Sequence, residues 1–143
     1  MKAIAASVLA CLALAATPAL ADSPSIEPLG DGFCRPTYKS ITCFGPVVND
    51  QGSLVIWVTK EWWDGVENYS NFSYHACSEA PGGTRHCVPR RTHLKDYKGP
   101  YPTFAVDKFR FTSAFPHRDP GIYKLTFWRH GKQWGQTIRL RAT

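Results

Sequence analysis

The sequence predicts an all-β protein that folds as a single antiparallel β-sandwich of about seven strands with two local disulfide bonds. Short runs of β-branched and aromatic residues recur between clusters of Gly, Pro, Asn and Asp, a pattern typical of sandwiches and barrels. No window shows the period of an amphipathic helix. Four cysteines lie in residues 22–143, and an even number in an exported chain indicates disulfide bonds.

Seven runs are predicted as strands because turn residues bound each of them. The clearest turns lie at 49–52 and 130–133, and the segment 90–102 is predicted to be a loop or a poorly formed edge strand. The predicted strands are Ser40–Phe44, Ser53–Thr59, Asn71–Cys77, Thr84–Pro89, Thr103–Thr112, Gly121–Arg129 and Trp134–Arg141.

The N-terminus predicts export. Lys2 precedes an apolar run that ends in Ala19-Leu20-Ala21, and these features are typical of a secretory signal peptide cleaved after Ala21. One rival interpretation is a transmembrane anchor, although Pro18 interrupts the run. Another is a lipoprotein signal that ends before Cys11. The prediction is a secreted or periplasmic protein with a signal peptide at 1–21, a flexible lead-in at 22–32 and one β-sandwich domain at 33–143.

The favoured disulfide pairing is Cys34–Cys43 and Cys77–Cys87, because each pair brackets a turn-rich stretch. Three pairings are formally open for four cysteines. The segment 77–87 has Pro81-Gly82-Gly83 at its centre, so it predicts a hairpin in which the two cysteines face each other. A zinc site that includes the histidines beside these cysteines is the alternative. Neighbouring residues on a strand point to opposite faces, so His86 and Cys87 cannot both face the same zinc ion. This geometry counts against the zinc site.

One segment resembles a known family. Residues 119–125 read Asp-Pro-Gly-Ile-Tyr-Lys-Leu, which is similar to the Asp-x-Gly-x-Tyr-x-Cys corner of immunoglobulin-like domains. The sequence departs from that family in two ways. Leu125 stands where the second cysteine of the family would be, and the strand 53–59 has no cysteine to pair with it. The resemblance implies an immunoglobulin-like sandwich without the inter-sheet disulfide, and it implies no activity.

The sixth predicted strand alternates in a way that places Lys124 and Trp128 on the outer face of a sheet. The same alternation points Arg139 and Arg141 of the last strand and His75 of the third strand outward. In an immunoglobulin-like topology these three strands share one sheet. The expected outer face is a candidate binding surface for an anionic group or an acidic protein patch. The alternative is that the cations merely cover the indole.

Trp62 and Trp63 lie at the start of the connection that follows the second predicted strand. Aromatic side chains on loops at the end of a sandwich can stack on sugar rings or anchor a protein partner. Trp62 and Trp63 are therefore candidate binding residues. The alternative is that they fold back into a satellite core.

The charge and the absence of catalytic motifs favour a binding protein. The net charge of +6 falls by one when Lys2 is removed, and a positive charge favours anionic partners. No familiar nucleophile, metalloprotease or phosphate-loop motif occurs. We therefore expect an exported non-catalytic binding domain whose partner is a protein or an anionic glycan or envelope polymer. Inhibitors belong to this class. No nucleic acid, metal or cofactor is expected.

Two alternatives for the function remain open at the sequence level. The first is a small secreted hydrolase that uses the loop histidines His93 and His117, which act together only if they meet in space. The second is a structural subunit of an envelope assembly.

Overall fold

A computed structural model of the chain describes residues 25–63, 69–95, 104–116 and 119–143. The predicted signal peptide at 1–21 lies outside these residues. The described chain forms two antiparallel sheets. Sheet A has the order β1 (Ile26–Pro28), β11 (Ile138–Ala142), β9 (Gly121–Arg129), β5 (Ser73–Glu79) and β6 (Arg85–Arg91), and β10 (Lys132–Gln133) pairs with β9. Sheet B has the order β2 (Phe33–Pro36), β3 (Ser40–Val48), β4 (Leu54–Trp62), β8 (Phe104–Arg110) and β7 (His93–Lys95).

The all-β prediction is confirmed, and each of the seven predicted runs contains a strand. β4 continues to Trp62 because its pairing with β3 extends to Ser40, and β3 is longer than predicted because the hairpin continues to its turn. There the Asn49 carboxamide oxygen accepts bonds from the amides of Gln51 and Ser53, and Gly52 takes a positive φ of 76°. The edge strand considered for 90–102 exists as the short β7.

Two predicted strands have different bounds in the structure. The strand predicted for Thr103–Thr112 stops at Arg110, where the chain enters a single helical turn, α1 (Phe111–Ala114). This turn brings Phe111 and Phe115 together in the core, with ring centroids 5.2 Å apart. The strand predicted for Trp134–Arg141 is interrupted before β11, because Gly135 has a φ of 87° and Trp134 bends inward to pack against the core.

The lead-in predicted for 22–32 also differs from the structure. Ile26–Pro28 forms β1, which pairs antiparallel with β11, so that Ile26 lies opposite Ala142. Ile26 is buried in the core. Burial of an apolar side chain and the added backbone hydrogen bonds explain why this segment is ordered.

The core lies between the two sheets and is rich in aromatic side chains. In β9 the alternation is as predicted, with Tyr123, Leu125 and Phe127 fully buried. The Tyr123 hydroxyl donates a 2.7 Å hydrogen bond to the Asp119 carbonyl. This is the bond expected from the corner-like motif at 119–125.

A buried ion pair joins the two sheets. Arg90 on β6 of sheet A donates to both carboxylate oxygens of Asp107 on β8 of sheet B, at 2.8 and 2.6 Å. The Tyr74 hydroxyl donates a third bond to the same carboxylate at 2.7 Å. Asp107 is only 5% exposed, so this charge is held by its partners rather than by water.

Both predicted disulfide bonds are confirmed. Cys34–Cys43 joins directly opposed residues of β2 and β3, and Cys77–Cys87 does the same for β5 and β6. The second lies in the predicted hairpin, whose tip is closed by a bond from Gly83 N to Ala80 O. Disulfides persist in oxidising compartments, so they suggest an extracellular environment. In the described part of the chain, no helix is long and apolar enough to cross a membrane.

Candidate binding surface

The outer face of sheet A carries the predicted surface, and strand register arranges its side chains in rows. One row crosses four strands as Arg139, Lys124, Glu79 and Arg85, since each residue lies directly opposite the next. A second row contains Gln133, Trp128 and His75. Directly opposed residues project from the same face of a sheet. The predicted residues Lys124, Arg139, Trp128 and His75 therefore share one face, as expected.

Trp128 is held from two sides. Its indole N–H donates a 2.9 Å bond to the Thr126 hydroxyl. The guanidinium carbon of Arg85 lies 4.5 Å from the ring centroid, which is cation–π geometry. One guanidinium nitrogen of Arg85 lies 3.4 Å from Cys77 Sγ. Arg85 thus spans the Cys77–Cys87 bridge and presents its charge beside the indole.

Two shallow depressions flank Lys124. The first has a volume of about 190 Å³ and combines the indole and two cations with neutral donors. It is lined by Glu79, Arg85, Lys124, Thr126, Trp128, Gln133 and Thr137. The second, of about 240 Å³, includes Arg139 and shares Glu79 and Lys124 with the first. Donors therefore outnumber acceptors in both depressions, which suits a ligand that carries acceptor oxygens.

Glu79 is the one acid in these two rows, and among the described residues it forms no ion pair with the cations beside it. Within the described residues, Arg85, Lys124 and Arg139 have no carboxylate within ion-pair distance. Arg141 differs, because it lies 3.6 Å from Glu27 at the β1 edge. Both of these side chains are more than half exposed, and such pairs are weak. Arg141 is therefore peripheral to the surface.

Trp62 and Trp63 do not join this surface. Trp62 is the last residue of β4 in sheet B, and Trp63 follows it directly. Trp62 is 6% exposed and packs edge-on against Tyr69 at 5.1 Å. It offers no free ring face to a ligand, so its placement matches the satellite-core alternative. Trp63 is 44% exposed, and its indole N–H donates to the Thr37 carbonyl. Only Trp63 keeps the loop exposure that the binding prediction needs.

The catalytic alternative depends on the loop histidines His93 and His117. His93 is exposed on β7, and His117 lies outside the described residues. The described chain holds no group of three or more His, Cys, Asp or Glu side chains that could bind a metal ion. The strongest pKa shift lies in the core, where burial, helped by the Asp107 carboxylate, raises the pKa of Tyr74. This shift belongs to the inter-sheet ion pair, not to the candidate surface.

Comparisons with protein-family models, with curated proteins and with solved structures found no match to this chain.

Sequence reasoning missed Arg85 and Glu79 as members of the surface. A signal for them exists, because a hairpin that pairs residue 77 with residue 87 also pairs Glu79 with Arg85. Their proximity to Lys124 and Trp128 depends on the register between β5 and β9. That register is set by packing between distant segments, which local sequence does not encode.

Proposed function

We propose that the protein is an exported, non-catalytic binding domain of immunoglobulin-like type. It recognises an anionic group on a protein or glycan partner through the surface formed by Trp128, Arg85, Lys124 and Arg139. The observation that supports this proposal is the depression that holds the Trp128 indole with Arg85 and Lys124, beside which Arg139 lies directly opposite Lys124. None of these three cations has a carboxylate within ion-pair distance in the described chain.

Two features support the immunoglobulin-like assignment. The order β3-β4-β8-β7 corresponds to strands A-B-E-D of such domains, and β11-β9-β5-β6 corresponds to G-F-C-C′. The bond from the Tyr123 hydroxyl to the Asp119 carbonyl lies at the start of β9, the strand that corresponds to F.

The chemistry of the surface favours an anionic ligand. Arg85 is oriented by the indole and by Cys77 Sγ, so less of its side-chain freedom is lost when a ligand binds. A planar guanidinium matches the geometry of carboxylate or sulfate oxygens. Trp and Arg are also the residue types that most often dominate binding energy at interfaces.

Calorimetric titration of the protein tests this function. The protein is expressed with its own N-terminal segment and recovered from an oxidising compartment. It is titrated with a polyglutamate peptide, oligogalacturonate or sulfated dextran, and with neutral dextran as the negative control. We expect at least one polyanion to bind, and Lys124→Glu/Arg139→Glu to weaken that binding at least tenfold.

The matched control is Lys39→Glu/Lys132→Glu, which changes the net charge equally at two exposed positions outside this surface. We expect this variant to keep most of the affinity. If both double variants lose affinity equally, the attraction is a general charge effect and the surface assignment fails. If none of the polyanions binds, the anionic-ligand proposal fails.

A further inference from the structure

The outer face of sheet B carries an exposed apolar patch opposite the surface already described. Val47 is 50% exposed and Trp57 is 36% exposed. Val47 lies directly opposite Val55, and Gly45 lies directly opposite Trp57. A Cβ at Gly45 would meet no atom within 4 Å, so one side of the indole borders open space. These residues form a continuous strip along the centre of the sheet.

Two cations border this apolar patch. Lys108 lies opposite Trp57 and Arg110 lies opposite Val55 on the neighbouring β8. The Lys108 ammonium nitrogen lies 5.1 Å from the Trp57 ring centroid. Neither cation has a carboxylate partner among the described residues. A groove of about 390 Å³ runs between the apolar strip and these cations.

We propose that this groove is a second docking surface, for an acidic segment of a protein partner that carries a large apolar side chain. The volume accommodates an apolar anchor against Val47, Val55 and Trp57, and the carboxylates of the segment reach Lys108 and Arg110. Apolar anchors within a charged rim are the usual anatomy of an interface. The acidic character follows from charge complementarity, since the two charged side chains in the groove lining are both cations.

A second copy of the chain fits this groove poorly. A copy that docks through the same groove offers Lys108 and Arg110 no acid, because the groove lining contains no carboxylate, and charge complementarity is then lacking. Cover of Trp57 by Lys108 alone also leaves features unexplained. It accounts neither for the exposure of Val47 nor for the open space beside Gly45.

Nuclear magnetic resonance of the ¹⁵N-labelled protein tests the proposal, because the indole N–H signals of Trp57 and Trp128 report on the two surfaces separately. The probe is the capped peptide Glu-Asp-Leu-Phe-Asp-Glu. One control peptide replaces the acids by Lys, and the other replaces Leu-Phe by Ser-Ser. We expect the acidic apolar peptide to shift the Trp57 indole and the amides of Val55 and Lys108. We expect each control peptide to bind at least tenfold more weakly.

Variants locate the binding. Lys108→Glu/Arg110→Glu should weaken it roughly tenfold, because both positions line the groove and the introduced carboxylates would repel those of the peptide. Val47→Thr, a nearly isosteric change at an exposed position, should weaken it several-fold without threatening the fold. Lys39→Glu/Lys132→Glu, with the same change in net charge at two exposed positions outside either surface, should leave the affinity read from the Trp57 indole within twofold.

Three outcomes would overturn the inference. The first is no shift of the Trp57 indole at millimolar peptide. The second is equal loss of affinity in the two double variants, which reduces the effect to general charge. The third is self-association that shifts the Trp57 indole without peptide, which makes a second copy the occupant. None of these outcomes involves Trp128, so the proposed function stands or falls by its own test.

Discussion

Asp107 carries a carboxylate in the interior, and its partners decide whether the fold tolerates it. Burial of an unpaired charge is strongly unfavourable. Here Arg90 supplies two hydrogen bonds and Tyr74 a third. The three residues come from three strands in both sheets. This ion pair therefore links the burial of the Asp107 charge to the packing of one sheet on the other.

Removal of the cation should show this link. We expect Arg90→Met to lower the free energy of unfolding by about 2–4 kcal/mol, because it leaves the buried Asp107 charge without its cation. The partial exposure of Arg90 keeps the effect below that of a fully buried pair. Urea denaturation with the disulfides intact measures the change. Arg91→Met is the matched control, since Arg91 is exposed and bonds only the Ser73 hydroxyl in the described structure. Equal effects of the two substitutions would contradict this account.

The raised pKa of Tyr74 should make folding stability depend on pH in the alkaline range. Burial, with the Asp107 carboxylate, raises the pKa of Tyr74 above its usual value of 10.0. Above pH 10 the unfolded chain therefore loses this proton while the folded protein keeps it, so folding stability falls as pH rises. We expect urea midpoints to decline above pH 10 in the wild type and to decline less steeply in Tyr74→Phe. Identical slopes in the two proteins would remove Tyr74 as the cause.

At the scale of the elements, local signals predicted more than long-range ones. The hairpin at 77–87 and the turn at 49–52 follow from Gly, Pro and Asn at fixed positions, and both occur as predicted. The inward and outward alternation of β9 also follows from local sequence. β1 was missed because it forms only by pairing with β11, more than a hundred residues away. The turn α1 was missed because burial of Phe111 and Phe115 overrides a strand-like local pattern.

The corner at the start of β9 is expected to stabilise the sandwich. We predict that Tyr123→Phe lowers the free energy of unfolding by about 1 kcal/mol, because it removes the hydroxyl that bonds the Asp119 carbonyl while the ring keeps its packing. Thermal or urea denaturation measures the change. Tyr69→Phe serves as the control at an exposed position. A wild-type stability in Tyr123→Phe would show that the bond contributes nothing net.

Removal of each disulfide should affect folding stability and the candidate surface differently. Their loops are nearly equal, with sequence separations of 9 and 10. We therefore expect Cys34→Ser/Cys43→Ser and Cys77→Ser/Cys87→Ser to destabilise by similar amounts, about 2–3 kcal/mol each. Only the second pair should perturb the Trp128 indole signal, because Arg85 contacts both Cys77 Sγ and that indole. Equal perturbation by both pairs would contradict the described position of Arg85.

For the whole molecule, the sandwich separates two outer faces of different character. Sheet A presents Arg85 and Lys124 in one depression with a half-buried Trp128, and sheet B presents an apolar strip bordered by Lys108 and Arg110. The basic composition predicted an anionic preference, and alternation along β9 and β11 predicted which residues of sheet A share a face. The sheet B patch was not predicted. Its members come from β3, β4 and β8, and only the pairing of those strands brings them together.

The central claim is that Trp128, Arg85, Lys124 and Arg139 form a surface on sheet A that binds an anionic group. The most direct test is a chemical-shift map of the ¹⁵N-labelled protein titrated with whichever polyanion binds in calorimetry. The account predicts that the Trp128 indole and the amides of Lys124, Glu79 and Arg85 shift together, with one common dissociation constant. The Trp57 indole should stay unchanged. Shifts that are spread over both sheets, or that leave the Trp128 indole unmoved, would contradict the claim.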